Sequence, residues 1–220
     1  MCFSPTASFL TAGLTGTIGI VTLSRTSGRR EWPLASVPLF FAMQQSIEGL
    51  LWLNLPSDPT GLMARGLPLL FLLFAEVFWP VFVPVAVLLV EPSARRRHLM
   101  LPSLAIGIGV ATYLMWWILT RTHHAAIIND HIVYYTEDRH SNALGLAYLA
   151  ATGLPAMLSS RRSLLVVGSI ILVGSATAYA FYVEAFVSVW CFFAAAASTM
   201  IMCHFEWTRL PRTAGAFAQT

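Results

Sequence analysis

Two glutamates lie inside long apolar runs of this sequence, where an acidic side chain is costly to accommodate. Glu48 lies within the run Pro33–Leu55, and Glu76 lies within the run Gly66–Val90. A charged side chain at the centre of a membrane costs at least about 2.5–3.5 kcal/mol, so such residues usually mark functional sites. Each glutamate lies fifteen residues from the inner end of its run, Pro33 or Glu91, which is about 22 Å along a helix. We therefore expect the two carboxyl groups to lie at similar depth and to face each other.

Amide groups and a freed backbone carbonyl accompany these glutamates. Gln44 and Gln45 precede Glu48 by four and three residues, so all three share one helix face. Pro80 cannot donate the helical hydrogen bond to the carbonyl of Glu76, and a freed carbonyl in a membrane needs a side chain, a water or a cation as its partner. The pattern predicts a proton- or cation-binding pocket that opens to the outer side. The other residues expected to line it are Trp52, Trp79, Pro80, Tyr148, Thr152, Trp190 and Cys191.

The same residues are compatible with two other hypotheses. Two neutral carboxyl groups, bonded to each other or to the glutamines, would act as a polar link between the helices. A membrane enzyme could instead hold a metal through Glu48, Glu76 and His131, and such a set of ligands would suit Mn, Fe or Zn rather than Cu. The sequence has no HExxH, GxSxG, Walker or CxxC motif, so no catalytic residue and no cofactor is assigned.

Seven apolar runs provide the elements that must position these groups. Most are near or above the roughly 20 residues that a helix needs to cross a bilayer. The predicted fold is all-α: a seven-helix transmembrane bundle forming a single domain over residues 1–220. The predicted spans are Ser8–Leu23, Pro33–Leu55, Gly66–Val90, Leu99–Thr120, Asn142–Ser159, Ser163–Val183 and Ala185–Cys203.

The arginines predict the orientation of this bundle. All thirteen basic residues other than histidine are arginine, and ten of them follow the first, third, fifth and last runs, whereas Arg65, Arg121 and Arg139 lie in the other gaps. This positive-inside bias predicts an outer N-terminus and a cytoplasmic C-terminus. We expect a multi-pass protein of the bacterial inner membrane. The net charge of +3 is explained by topology and does not indicate a nucleic-acid partner.

The gap Arg121–Ser141 is the longest segment between the runs and holds four of the six histidines. Its length and its own apolar patch predict that it folds back over the outer mouth of the bundle. We expect Asp130, His131, Tyr134 and Tyr135 to reach into the mouth.

Four segments, MCFSPTASF, FAMQQSIEGLLW, FWP and SVWCFFAAAAS, resemble a bacterial family of uncharacterised multi-pass membrane proteins whose members begin Met-Cys-Phe-Ser. The resemblance covers nearly the whole chain and implies an inner-membrane helical protein, with no residue role to transfer. Besides the lipid bilayer, the expected partners are further copies of the chain or a larger membrane complex. Gly13, Gly16 and Gly19 form a small-residue face on the first helix, which we expect to be free to meet such a partner.

Overall fold

The computed structural model describes residues 4–136, 141–181 and 196–207. The chain is mostly helical, and the helices begin and end close to the apolar runs. They are α1 Pro5–Ser24, α2 Trp32–Asn54, α3 Leu62–Leu72, α4 Trp79–Val90, α5 Ala94–Thr120, α6 Asn142–Met157 and α7 Arg162–Phe181, followed by a helical segment at 196–207 that we label α8. Of the predicted seventh span, only residues 196–203 lie within the described part of the chain, and they are helical.

The helices α3 and α4 form one continuous helix interrupted by a π-helical segment, Leu73–Phe78. By length and composition, Pro5–Ser24, Leu62–Val90 and Ala94–Thr120 are long and apolar enough to cross a membrane. The helix α2 is also long enough at 23 residues. Its two glutamines and its glutamate lower its mean hydropathy, which leaves it outside this group.

Serine side chains start three of these helices. Ser4, Ser93 and Ser141 each accept a hydrogen bond from the backbone N–H three residues later, at the starts of α1, α5 and α6. A serine in this position supplies an acceptor that the first turn of a helix otherwise lacks.

The glycines of α1 pack against α2. A Cβ on Gly19 would lie 2.6 Å from the Leu39 side chain and 2.9 Å from its backbone nitrogen, and a Cβ on Gly16 would lie 3.5 Å from Ala42. Of the three predicted positions, only Gly13 has open space beside it. The expectation of a glycine face free for a partner was therefore wrong for Gly16 and Gly19, because α2 already occupies it.

A β-hairpin follows α5, so the chain is not strictly all-α as expected. Strands β1 His123–Ile128 and β2 His131–Thr136 pair antiparallel, with Ile128 opposite His131. The two turn residues, Asn129 and Asp130, have φ values of 49° and 59°. Positive φ at both central residues is the signature of a type I′ turn, which suits the twist of a two-stranded hairpin.

The hairpin folds back onto the bundle, as predicted for this loop. Ile132 is fully buried in a cluster with Leu51, Trp52, Leu55 and Ala64. The ring of Tyr134 stacks on Phe71 at a centroid distance of 4.6 Å, whereas Asp130 and Tyr135, also expected to reach into the mouth, are exposed.

The arginine-rich loops meet at the opposite end of the bundle. The Arg96 guanidinium donates to the carbonyls of Leu158 and Ser159 at 2.9 and 3.1 Å. Arg161 Nε donates to the Val90 carbonyl at 3.3 Å. Basic residues from two different gaps therefore hold the α4–α5 and α6–α7 connections together.

Candidate functional site

The polar residues of α2 are buried in the bundle. Gln44, Gln45 and Glu48 are 1%, 1% and 0% exposed, and their spacing places them within one turn on a single face. Gln45 Nε2 donates to Glu48 Oε2 at 3.2 Å. The Gln45 amide oxygen is buried and has no hydrogen-bond partner among the described residues. A buried acceptor without a donor is uncommon in folded proteins and calls for an explanation.

Trp79 joins this polar group from the facing helix. Its indole Nε1 donates to Gln44 Oε1 at 2.9 Å, and both side chains are buried. The indole ring also stacks on Phe41 at a centroid distance of 4.1 Å and an interplanar angle of 17°. The structure therefore brings together two predicted site residues, Gln44 and Trp79, from helices that lie far apart in sequence.

The π-helical segment explains where the freed carbonyl lies. In a π-helix the N–H group bonds to the carbonyl five residues earlier, so at the end of this segment Pro80 also leaves the Ala75 carbonyl without a helical donor. Pro80 has no N–H group, and the Tyr148 hydroxyl donates to the Ala75 carbonyl at 2.5 Å instead. Thr152 in turn donates to the Tyr148 carbonyl at 3.0 Å. The expected side-chain partner is present, but it binds one residue earlier than the α-helical register predicts.

A second proline, Pro84, leaves the Pro80 carbonyl without its usual helical donor. This carbonyl points at Gly107 of α5, where an added Cβ would lie only 1.9 Å from the oxygen. The close approach needs a glycine, because any side chain would occupy the position of the carbonyl oxygen. Pro80 therefore shapes the contact between α4 and α5 in addition to the π-segment.

Contacts between α2 and the α3–α4 helix show which parts of the two helices lie side by side near the two glutamates. Ile47 packs in one cluster with Phe71 and Ala75. The helix α2 and the α3–α4 helix therefore pass each other antiparallel at this level. Gln44 contacts Trp79 in the same arrangement, so residues 44–47 of α2 lie beside residues 71–79 of the α3–α4 helix, and the similar depth of Glu48 and Glu76 stays a prediction. Glu76 is half-buried, and the prediction that the two carboxyl groups face each other stays a prediction.

Trp52 lies away from the Gln44–Trp79 contact. It belongs to the cluster under the hairpin, next to Ile132, and its indole N–H is buried with no hydrogen-bond partner among the described residues. Trp52 therefore lines the space between Glu48 and the hairpin. The predicted lining residues Trp190 and Cys191 lie outside the described residues.

The metal hypothesis gains no support from geometry. His131 begins β2 on the hairpin. Within residues 4–136, 141–181 and 196–207, no three His, Cys, Asp or Glu side chains are grouped so that they could hold a metal ion.

Sequence reasoning missed a second buried acid, Glu91, at the arginine-rich end. Its carboxylate accepts from Ser159 Oγ at 2.9 Å, from the Ser160 N–H and hydroxyl at 2.8 and 2.5 Å, and from the Ser93 N–H at 3.1 Å. Burial alone would raise the pKa of Glu91, but these hydrogen bonds outweigh it and hold the pKa below the usual range. The signal was available in Glu-Pro-Ser at 91–93 and the serine pair at 159–160. Glu91 links the α4–α5 and α6–α7 connections by hydrogen bonds, so we assign it a structural role.

Neither the curated proteins nor the solved structures include a match to this chain. A model of a family of unknown function, DUF6629, matches residues 1–216. This match agrees with the resemblance seen in the sequence and covers nearly every residue. The chain belongs to this family of unknown function, DUF6629.

Proposed function

We propose that this protein is a multi-pass protein of the inner membrane that binds a proton or a small cation at Glu48, for transport, gating or sensing. The observation that carries the proposal is a carboxyl group with 0% exposure, placed beside amide groups inside a helical bundle. Such a group is expensive to bury and is retained where it has a task.

The chemistry of the groups around Glu48 suits a bound proton or small cation. Gln45 Nε2 donates to the Glu48 carboxyl group, and Gln44 lies one turn away on the same buried face. Carboxylate and amide oxygens are the ligands that hard cations prefer. The buried Gln45 oxygen without a described donor is where such an ion, or a donor that accompanies it, would bind.

Glu76 completes the proposed site from the other helix. The clustering of Ile47 with Ala75, each the sequence neighbour of one of the two glutamates, supports a shared site, and Tyr148 donates to the carbonyl of Ala75. The π-segment widens the helix at this level, as π-turns often do at functional sites.

In the proposed orientation, seven helices cross the membrane, the N-terminus lies outside and the C-terminus lies in the cytoplasm. The gathering of arginine-rich loops at one end of the bundle, opposite the hairpin, supports this arrangement. The hairpin would then cover the outer mouth, and Glu48 would be reached from outside past Trp52.

The test is a proton- and cation-flux assay on purified protein in liposomes. We expect Glu48→Gln to abolish flux and Glu76→Gln to reduce it strongly, because each removes a carboxylate that the ion must meet. Asp58→Asn is the matched control, since Asp58 is an exposed acid on the α2–α3 connection. Folded Glu48→Gln and Glu76→Gln proteins with wild-type flux would refute transport. Loss of folding in both would support the polar link instead.

The alternative function is a hydrophobic subunit of a larger membrane complex. The small-residue face of α1 supports this alternative less than expected, since α2 covers Gly16 and Gly19. Purification in mild detergent followed by mass spectrometry separates the two proposals: a stoichiometric partner would favour the subunit, and a single species with ion flux would favour the Glu48 site.

A further inference from the structure

A cavity of about 490 Å³ opens at the arginine-rich end of the bundle, between the start of α5 and the end of α6. It is lined by Ser93, Arg95, Arg96, Leu99 and Leu158. It lies far along the bundle from Glu48 and shares no residue with that site.

Two arginines give this cavity a positive charge that can bind an anionic ligand. Arg95 and Arg96 are both exposed, and neither makes an ion pair with a described residue. Arg96 uses only Nη1 for the carbonyls of Leu158 and Ser159, so its remaining N–H groups can bind a ligand. Glu91, two residues before Ser93, accepts hydrogen bonds from Ser93, Ser159 and Ser160 and makes no ion pair with these arginines among the described residues.

The apolar part of the cavity identifies the source of the anion. Leu99 is 54% exposed and lies one turn after Arg95 and Arg96, toward the middle of the long apolar helix α5. A ligand bound here meets the guanidinium groups of two arginines and the apolar side chains of two leucines. A free phosphate ion would use only the first, whereas a phospholipid uses both, and basic pockets between membrane helices are suited to anionic headgroups.

We propose that this cavity binds the phosphate of an anionic phospholipid, with Arg95 and Arg96 on the headgroup and Leu99 and Leu158 against the start of the acyl chains. The bound lipid would bridge α5 and α6 beside the Glu91 hydrogen bonds. The proposal is independent of any ion bound at Glu48.

The experiment is native mass spectrometry of the full-length protein in detergent, titrated with phosphatidylglycerol or with phosphatidylcholine of the same chain length. We expect preferential retention of phosphatidylglycerol and no displacement by inorganic phosphate. Arg95→Gln should weaken its binding about fivefold, the equivalent of roughly 1 kcal/mol for one arginine. Leu99→Gln should weaken it as well, because the acyl chains lose an apolar contact.

Arg29→Gln is the matched control, since Arg29 is an exposed arginine in a different loop and its loss changes the net charge by the same amount. Equal weakening by Arg29→Gln would overturn the proposal, because the effect would then be that of overall charge. Equal retention of phosphatidylcholine would also overturn it. Displacement of the lipid by inorganic phosphate would identify a free-anion site instead and equally refute the lipid. Arg95 makes no described hydrogen bond, so its variant is expected to fold.

Discussion

The contact between Gly107 and the Pro80 carbonyl makes Gly107→Ala the most decisive substitution in this bundle. The new Cβ would lie 1.9 Å from the Pro80 oxygen and 2.9 Å from the Pro80 carbonyl carbon. Both are backbone atoms, so no side chain can rotate away to make room. On the other side, the Ala151 Cβ would be in ordinary contact at 3.4 Å.

The size of the effect follows from the distance. Real Cβ atoms essentially never approach another heavy atom within 3.0 Å, so α4 and α5 would have to separate by about 1 Å at this point. Forcing extra volume into a packed interface costs about 1–3 kcal/mol. Alanine regains up to about 1 kcal/mol of helix propensity relative to glycine. With the full propensity gain, the net loss is up to about 2 kcal/mol in the free energy of unfolding, and the difference from a Gly→Ala variant without the clash in the same helix is about 1–3 kcal/mol.

The same helix supplies a matched control, Gly109→Ala. Gly109 has no atom within 4 Å of an added Cβ, so this variant should be as stable as wild type or more stable. Thermal unfolding of both purified variants, under the same detergent conditions, measures the difference. If Gly107→Ala unfolds at the same temperature as Gly109→Ala, the close approach of α4 and α5 at Pro80 is wrong, and so is the helix packing derived from it.

Three further substitutions test the hydrogen bonds described above. Tyr148→Phe should destabilise the protein by about 1–3 kcal/mol, because the Ala75 carbonyl loses its donor inside the bundle; chemical unfolding measures this. Trp79→Phe should cost a similar amount, since the Gln44 side chain loses the indole donor, and ion flux should change with it if the Glu48 site is functional. Glu91→Gln should flatten the dependence of stability on pH. The depressed pKa of Glu91 stabilises the wild type above the pKa of the unfolded chain, and that stabilisation is lost as the pH falls through the folded-state pKa.

Exposed residues of the same types provide the controls for these variants. Tyr113 is 42% exposed and Trp32 is 56% exposed, and Tyr113→Phe and Trp32→Phe should each change stability by less than about 0.5 kcal/mol. Asp58→Asn should leave the decrease in the free energy of unfolding at acidic pH the same as in the wild type. A control that matches its test variant would show that the corresponding hydrogen bond contributes nothing to stability.

Hydropathy predicted the positions of the helices well because an apolar run extends over about twenty residues. The bounds of α1 and α2 agree with the runs Ser8–Leu23 and Pro33–Leu55 to within a few residues. The burial of Gln44, Gln45 and Glu48 followed from the same logic, since a polar face on an apolar helix must be covered by other helices.

The backbone details were harder to predict, because they depend on single residues. A side-chain donor was expected at the Glu76 carbonyl, and the donor that the structure shows, Tyr148, bonds to the Ala75 carbonyl, since a proline does not reveal whether the turn before it is α or π. The pair Asn129–Asp130 between two apolar segments was a usable signal for the hairpin. The polar, histidine-rich composition around it is equally typical of a loop. The contact between Trp79 and Gln44 requires knowledge of how two helices rotate about their axes, and one sequence does not contain that.

The π-segment Leu73–Phe78 has a consequence for how this chain can change in length. Because its turn holds one residue more than an α-turn, deletion of a single residue within it would let the helix close into a regular α-helix. The parts on either side would keep their rotational positions, so Phe71 would stay stacked on Tyr134 and Trp79 would stay beside Gln44. A one-residue deletion elsewhere in Leu62–Val90 would instead turn every later side chain by about 100°. Tolerance of single-residue deletions should therefore be concentrated in this one turn of the helix.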